Sequence, residues 1–209
     1  MMTDKFQNKY RIPTNRLRGY DYGSNGFYFV TICTKHRNHY FGEIPVETGN
    51  CPSLQPTIIG QTAIKYWTEI PKHYPFVELD EFVAMPNHIH GILFFDRPEK
   101  THWQPNQFGG QSQNLGAVIR AFKSTTKRYA NQNNIEFDWQ SRYHDRIIRN
   151  EKELNAIRQY IIDNPTNWKN DVLNVTHVET DNYPSLHQTI EQEIENFLRK
   201  LCDDREITE

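Results

Sequence analysis

The chain has 209 residues, 24% of them charged, with a mean hydropathy of −0.82 and a formal charge of −2. That length suits one domain with appendages, and no apolar run approaches the roughly 20 residues of a membrane span. The three cysteines, Cys33, Cys51 and Cys202, form no CxxC pair, which argues against a zinc–thiolate site or a disulfide frame and for a reducing, cytoplasmic compartment. The basic start has no apolar core of the kind a secretory signal needs. Charge is unevenly spread: residues 177–209 hold nine acids and three bases, net −6, whereas residues 1–176 hold 21 bases and 17 acids, net +4. A mildly basic body with an acidic tail suits a local nucleic-acid groove but equally an ordinary solvated surface.

In chain order, residues 1–18 read as a basic arm carrying Lys5, Lys9, Arg11, Arg16 and Arg18 against Asp4. GFYFVTICT (26–34) is β-branched and aromatic after a turn signal, so it predicts a strand. Five Gly and Pro residues over 42–57 predict a loop. Residues 58–73 place Ile59, Ala63, Tyr66, Trp67 and Ile70 near helical spacing, closed by Pro71 and Pro75. VELDEFVAMPNHIHGILFF (77–95) predicts two strands around Met85-Pro86-Asn87. Residues 96–114 are polar and Gly/Gln-rich and predict a loop. A helix over 115–132 shows Val118, Phe122 and Tyr129 on its apolar side and Arg120, Lys123, Lys127 and Arg128 elsewhere. A short strand (145–149) precedes a helix over 150–165, with Asn150 as N-cap, Glu153 completing a capping-box pattern, Leu154, Ile157 and Ile161 as its apolar stripe and Pro165 as its stop. A last amphipathic helix spans about 186–201. The order β, α, β, β, α, β followed by two helices is that of an α+β, ferredoxin-like (RRM-like) split βαβ fold. It implies a four-stranded antiparallel sheet with helices on one face plus C-terminal helices.

His88-Ile89-His90 opens an apolar strand, and side chains two apart project from one face. Two imidazoles so placed can share a divalent ion; two histidines hydrogen-bonded at a strand end are the plainer reading of such a pair. Tyr160 and Asn164 stand one turn apart on one helix face. An amide oxygen can coordinate a hard cation, and a phenol can act as a nucleophile. A core tyrosine and a helix-capping asparagine are again the plainer alternatives.

Three blocks carry a resemblance. MPNHIHGIL (85–93) resembles the HUH motif of single-tyrosine transposases, two histidines around a bulky apolar residue. GYDYGSNGFYFVTICTKHRNHYFGEI (19–44) and WQSRYHDRIIRNEKELNAIRQYIIDNPTNW (139–168) resemble blocks of the REP-associated tyrosine transposases, in the family's order. The resemblance implies a catalytic domain over 19–176; the acidic helical tail over 177–209 lies outside the matching blocks. It implies that His88, His90 and Asn164 bind Mg²⁺ or Mn²⁺ and that Tyr160 is the nucleophile, forming a 5′-phosphotyrosine and a free 3′-OH. The implied substrate is single-stranded DNA beside a hairpin, handled by a monomer or a homodimer. Arg120, Lys123, Lys127 and Arg128, or Arg142, Arg146 and Arg149, are candidate contacts to its backbone, and Trp103 and Tyr143 could stack bases. The competing readings are a replication-initiator or relaxase-type nickase with the same site, a non-catalytic RRM-like module using aromatics of FYFVTI (27–32), and a metallohydrolase using the histidines alone.

Overall fold

The computed structural model describes residues 5–6, 9–10, 16–17, 19–45, 53–97, 113–174 and 183–206, with side chains of the last helix described over 188–199. Its main elements are β1 (Gly26–Cys33), α1 (Ile58–Thr68), β2 (Val77–Met85), β3 (His88–Phe95), α2 (Leu115–Gln132), β4 (His144–Ile148), α3 (Glu151–Asn167) and α4 (Tyr183–Glu206). The four strands form one antiparallel sheet in the order β2-β3-β1-β4. This is the ferredoxin-like arrangement that the element order predicts. Most of the basic arm, the greater part of the 96–114 loop with Trp103, and residues 175–182 lie outside the described residues. No helix among the described residues is long and apolar enough to cross a membrane.

Strand alternation divides the core in two. On one face Tyr28, Val30, Ile32, Ile89, Leu93 and Phe95 pack against Ile59, Ala63 and Trp67 of α1 and against Leu115, Val118 and Phe122 of α2. On the other, Phe29, Cys33, Ile92 and Ile148 pack against Leu154, Ile157, Tyr160 and Ile161 of α3 and Ile190 and Ile194 of α4. The helices of the split βαβ unit thus share one face, and the two C-terminal helices cover the other. The acidic segment after residue 176 supplies core through the apolar stripe of α4. Tyr28, Phe29, Val30 and Ile32 are fully buried, which removes the exposed aromatic platform that an RRM-like binding module needs.

Local signals explain the helix ends. Thr57, Asn114 and Asn150 accept hydrogen bonds from Gly60, Ala117 and Glu153 backbone N–H groups at 3.1, 2.9 and 2.8 Å, each satisfying a donor the first turn leaves free. Three details depart from the sequence expectations. The segment 58–73 is not one helix: α1 ends at Thr68 and a separate turn runs Ile70–His73, because Pro71 has no N–H to continue the ladder. Pro165 does not stop α3, which continues to Asn167 and then a tighter turn, Trp168–Asn170; a proline in the last turn forfeits one hydrogen bond only. Glu153 does not close its capping box on Asn150 but accepts from the Arg149 N–H at 3.0 Å and from the Arg146 guanidinium at 2.7 Å.

Edge strand β2 is irregular between Leu79 and Phe82. There Asp80 accepts a hydrogen bond at 2.8 Å from Arg158 of α3, tying the helix to the sheet edge. At the opposite edge Arg16 reaches Asp145 of β4 at 3.7 Å and lies over the rings of Tyr22 and Tyr143.

In β3, Gly91 faces α1, and a Cβ added there would meet Trp67 Cζ2 at 2.3 Å. Trp67 is fully buried, so it cannot swing away. Gly91→Ala is expected to cost about 1–3 kcal/mol of stability through overpacking, read as a lowered thermal midpoint; an unchanged midpoint would show that α1 can retreat from the sheet freely.

Candidate active site

The registers decide where the histidines point. His88 pairs with Cys33 and Met85, and His90 with Thr31 and Val83, so β3 is hydrogen-bonded on both sides at the histidine pair. Residues directly opposite share a face, which puts both imidazoles beside Cys33 and Thr31, on the face that α3 and α4 cover. Ile89 points into the other core. Both histidines are fully buried, with ring centroids 4.4 Å apart.

Each imidazole is held through one nitrogen. Asn87 donates through Nδ2 to the carbonyls of Arg37 at 3.2 Å and Leu173 at 2.8 Å. Its Oδ1 is therefore an acceptor, and the His88 Nδ1 that lies 2.8 Å from it carries the proton. The Arg37 carbonyl is presented from a backbone at φ 56, the left-handed region that side-chain-bearing residues seldom adopt. His90 Nδ1 lies 2.8 Å from Thr31 Oγ1. This leaves Nε2 of both rings buried with no hydrogen-bond partner, the pattern that outer contacts impose on metal-ligating histidines. Burial, then the neighbouring His90 and Arg37, hold the His88 imidazole well below its usual range, and burial alone pushes His90 down to about 3. Both are neutral imidazoles at neutral pH, with lone pairs to offer.

Tyr160 and Asn164 of α3 lie beside the histidine pair. Tyr160 is buried, its ring edge-on to His90 at 5.3 Å between centroids. Its hydroxyl donates to Glu193 Oε2 at 3.0 Å. Burial and the charges of Glu193 and Asp171 push its pKa well above the usual tyrosine value, while Asn164 opposes the shift. Asn164 is 4% exposed, and its Oδ1 has no hydrogen-bond partner. The structure thus brings all four predicted residues to one place.

It also brings residues the sequence reading missed. Asp171, just past the turn that ends α3, has a side chain 2% exposed and an Oδ2 that lies 3.8 Å from His88 Nε2 and makes no hydrogen bond. Its Oδ1 accepts from the Leu173 N–H at 2.6 Å. Burial, with Glu193 nearby, raises this carboxyl to about 7. A lone aspartate in a polar stretch gives no periodic signal; the one hint was its place shortly after Tyr-x-x-x-Asn-Pro. Glu193 and Glu191 belong to the acidic tail, and His144 begins β4, buried, with Nε2 3.5 Å from Glu191 Oε1. Among the described residues no three His, Cys, Asp or Glu side chains alone make a metal-binding group.

The predicted basic residues separate by role. The Lys123 ammonium donates to the carbonyls of Gln140 and Arg142, and Lys127 to that of Phe137 with Asp138 at 3.7 Å. Both staple α2 to the segment before β4, and burial lowers Lys123 to about 8. Arg146 is engaged by Glu153 and Glu191. Tyr143 receives a hydrogen bond from Arg16. Arg120, Arg128 and Arg149 are exposed and Arg142 half-buried. A cavity of about 360 Å³ is lined by Arg16, Arg120, Lys123, Ser124 and Tyr143, and a shallower one of about 560 Å³ by Lys123, Lys127, Arg128, Asn131 and Trp139. α2 packs on the face of the sheet opposite the histidines.

A depressed histidine pKa has a definite sign in stability. The unfolded chain takes up a proton near pH 6.5 and the folded His90 only near 3, so stability falls as pH drops through that window. Between pH 6.5 and 5 the effect is at most about 2 kcal/mol. The metal-free chain should therefore lose more of its thermal midpoint between pH 7 and 5 than His90→Gln does; equal slopes would mean that His90 takes up its proton in the folded state.

No family model matches the chain. An uncharacterized protein of Haemophilus influenzae is 38% identical over 169 residues, covering 77% of this chain and 91% of that one. Among solved structures, that of a REP-associated tyrosine transposase bound to a REP hairpin aligns with a TM-score of 0.51 at 18% identity, covering 74% of each chain. The chain therefore belongs to the family of the Haemophilus influenzae protein and is built on the fold seen in a REP-associated tyrosine transposase.

Proposed function

We propose that the protein is a metal-dependent tyrosine DNA strand transferase, which cleaves single-stranded DNA beside a hairpin and rejoins strands through a 5′-phosphotyrosine. One observation carries this reading: the phenol of Tyr160, the Nε2 atoms of His88 and His90, which make no hydrogen bond, and the side chain of Asn164 are gathered in one buried site on one face of the sheet. The three sequence blocks that resemble REP-associated tyrosine transposases, and the shared fold with such an enzyme bound to its hairpin, support it.

The donor set fits a divalent cation. Buried polar atoms ordinarily find partners, and here two neutral imidazole nitrogens, an amide oxygen and the Asp171 Oδ2 lack them. His88, His90 and Asn164 would hold Mg²⁺ or Mn²⁺. Such an ion supplies Lewis-acid polarisation of the scissile phosphate.

The chain's own residues do the rest. Asn87 and Thr31 fix the imidazole rings. Tyr160 attacks phosphorus in line; the bond from its oxygen forms as the bond to the 3′ oxygen breaks, and that oxygen leaves with the electron pair. Burial of the phenol keeps water from the phosphotyrosine, so the phosphodiester energy is conserved until a 3′-OH reverses the step. Arg120 and Arg128, exposed beside cavities lined by Lys123 and Lys127, track the DNA backbone.

The test is a denaturing gel of labelled hairpin-bearing single strands with Mg²⁺, Mn²⁺ or EDTA. Wild type should give a metal-dependent, protease-sensitive adduct, and Tyr160→Phe should bind DNA but give none. An adduct from the phenylalanine variant would refute the nucleophile assignment. His88→Ala should slow cleavage by more than about 100-fold, the upper end for residues that only support a ligand; cleavage indifferent to EDTA would refute the metal.

A further inference from the structure

The acidic C-terminal helix, which the function proposed above leaves without a task, sets a carboxylate on the reactive phenol. Tyr160 donates its hydroxyl hydrogen to Glu193 Oε2 at 3.0 Å. Glu193 is also fixed by the backbone N–H of Val172. The helix that carries it is anchored twice: Ile190 and Ile194 are buried in the core under the sheet, and Glu191 is paired with His144 and Arg146 of β4. The carboxylate is therefore positioned by rigid elements rather than by a loop.

Resting on Tyr160 as the nucleophile, we propose that Glu193 is a catalytic residue, the general base that takes the Tyr160 proton as the phenol attacks the phosphate. A phenol is a weak nucleophile until its proton leaves. The hydrogen bond that the phenol already makes to Glu193 is the path along which that proton leaves during attack. Glu193 further lines a cavity of about 450 Å³ with Val172, Gln188, Thr189, Gln192 and Asn196. The phenol's proton thus has a route through the carboxylate to solvent.

The step balances as follows. The Tyr160 oxygen bonds phosphorus, its proton passes to Glu193 Oε2, and the departing 3′ oxygen takes a proton from solvent to become 3′-OH. In the return step an incoming 3′-OH attacks phosphorus and gives up its proton to solvent, the bond from phosphorus to the Tyr160 oxygen breaks, and protonated Glu193 returns its proton to the phenolate.

The experiment measures single-turnover adduct formation by the full chain on hairpin-bearing single strands with Mn²⁺, with DNA binding followed separately by anisotropy. Glu193→Gln and Glu193→Ala should bind DNA as wild type does and form adduct about 100-fold or more slowly, the scale of a lost general base. Added formate, a carboxylate small enough for the vacated space, should restore part of the rate to Glu193→Ala and none to Glu193→Gln. A rate unchanged or raised in both variants overturns the proposal, the raised rate by making Glu193 a restraint on Tyr160. A lowered rate that formate does not move also overturns it, by making the contact merely structural. Tyr160→Phe in parallel separates the two readings. Adduct lost in that variant keeps the nucleophile assignment whatever the Glu193 variants do. Adduct surviving there, or absent from wild type, overturns both.

Discussion

The alternation of a single strand organises the molecule. β3 lies in the middle of the sheet with a neighbour on either side, so its backbone is satisfied and cannot shift. A slip of one residue would exchange its two faces. It would drive His88 and His90 into the Trp67 core and expose Ile89 and Leu93 to the polar site. The apolar residues that pin the register are therefore what aim the imidazoles. Asn87 completes the arrangement from the strand's first turn, because its amide hydrogens are committed to two carbonyls and its oxygen can only accept.

Much of this was legible in the residues. Strand and helix periods gave the ferredoxin-like order. Asn150 announced a helix start, and the i, i+2 and i, i+4 spacings of the histidine pair and of Tyr160 with Asn164 put each pair on one face. What failed to show was of a different kind. Pro165 reads as a helix stop because its cost is usually counted mid-helix, whereas in the last turn it is small. Glu153 matches a capping box, but its carboxylate is taken by Arg146 and by the Arg149 N–H. Asp171 and Glu193 are brought to the site by tertiary packing, from a turn and from a tail helix. Isolated carboxylates in polar stretches look the same in sequence whether they end in solvent or against a buried phenol.

The basic residues show the limit of reading charge from sequence. Seven positive side chains on α2 and around β4 look equivalent on paper, yet Lys123 and Lys127 are spent on carbonyls and Arg146 on two carboxylates. Their work is to dock one segment on another. Arg120 and Arg128 of α2 are exposed.

The irregularity in β2 has a consequence for how copies of the chain can meet. An unpaired sheet edge is a template for another strand, and nature blunts it with kinks and charge. Here the kink falls at Asp80 and Glu81, and Asp80 is already claimed by Arg158 of α3. A foreign strand docking along β2 would have to break that pair and leave a carboxylate against its own backbone. Growth of the sheet into ribbons or aggregates through this edge is opposed by the same ion pair that holds the tyrosine helix down.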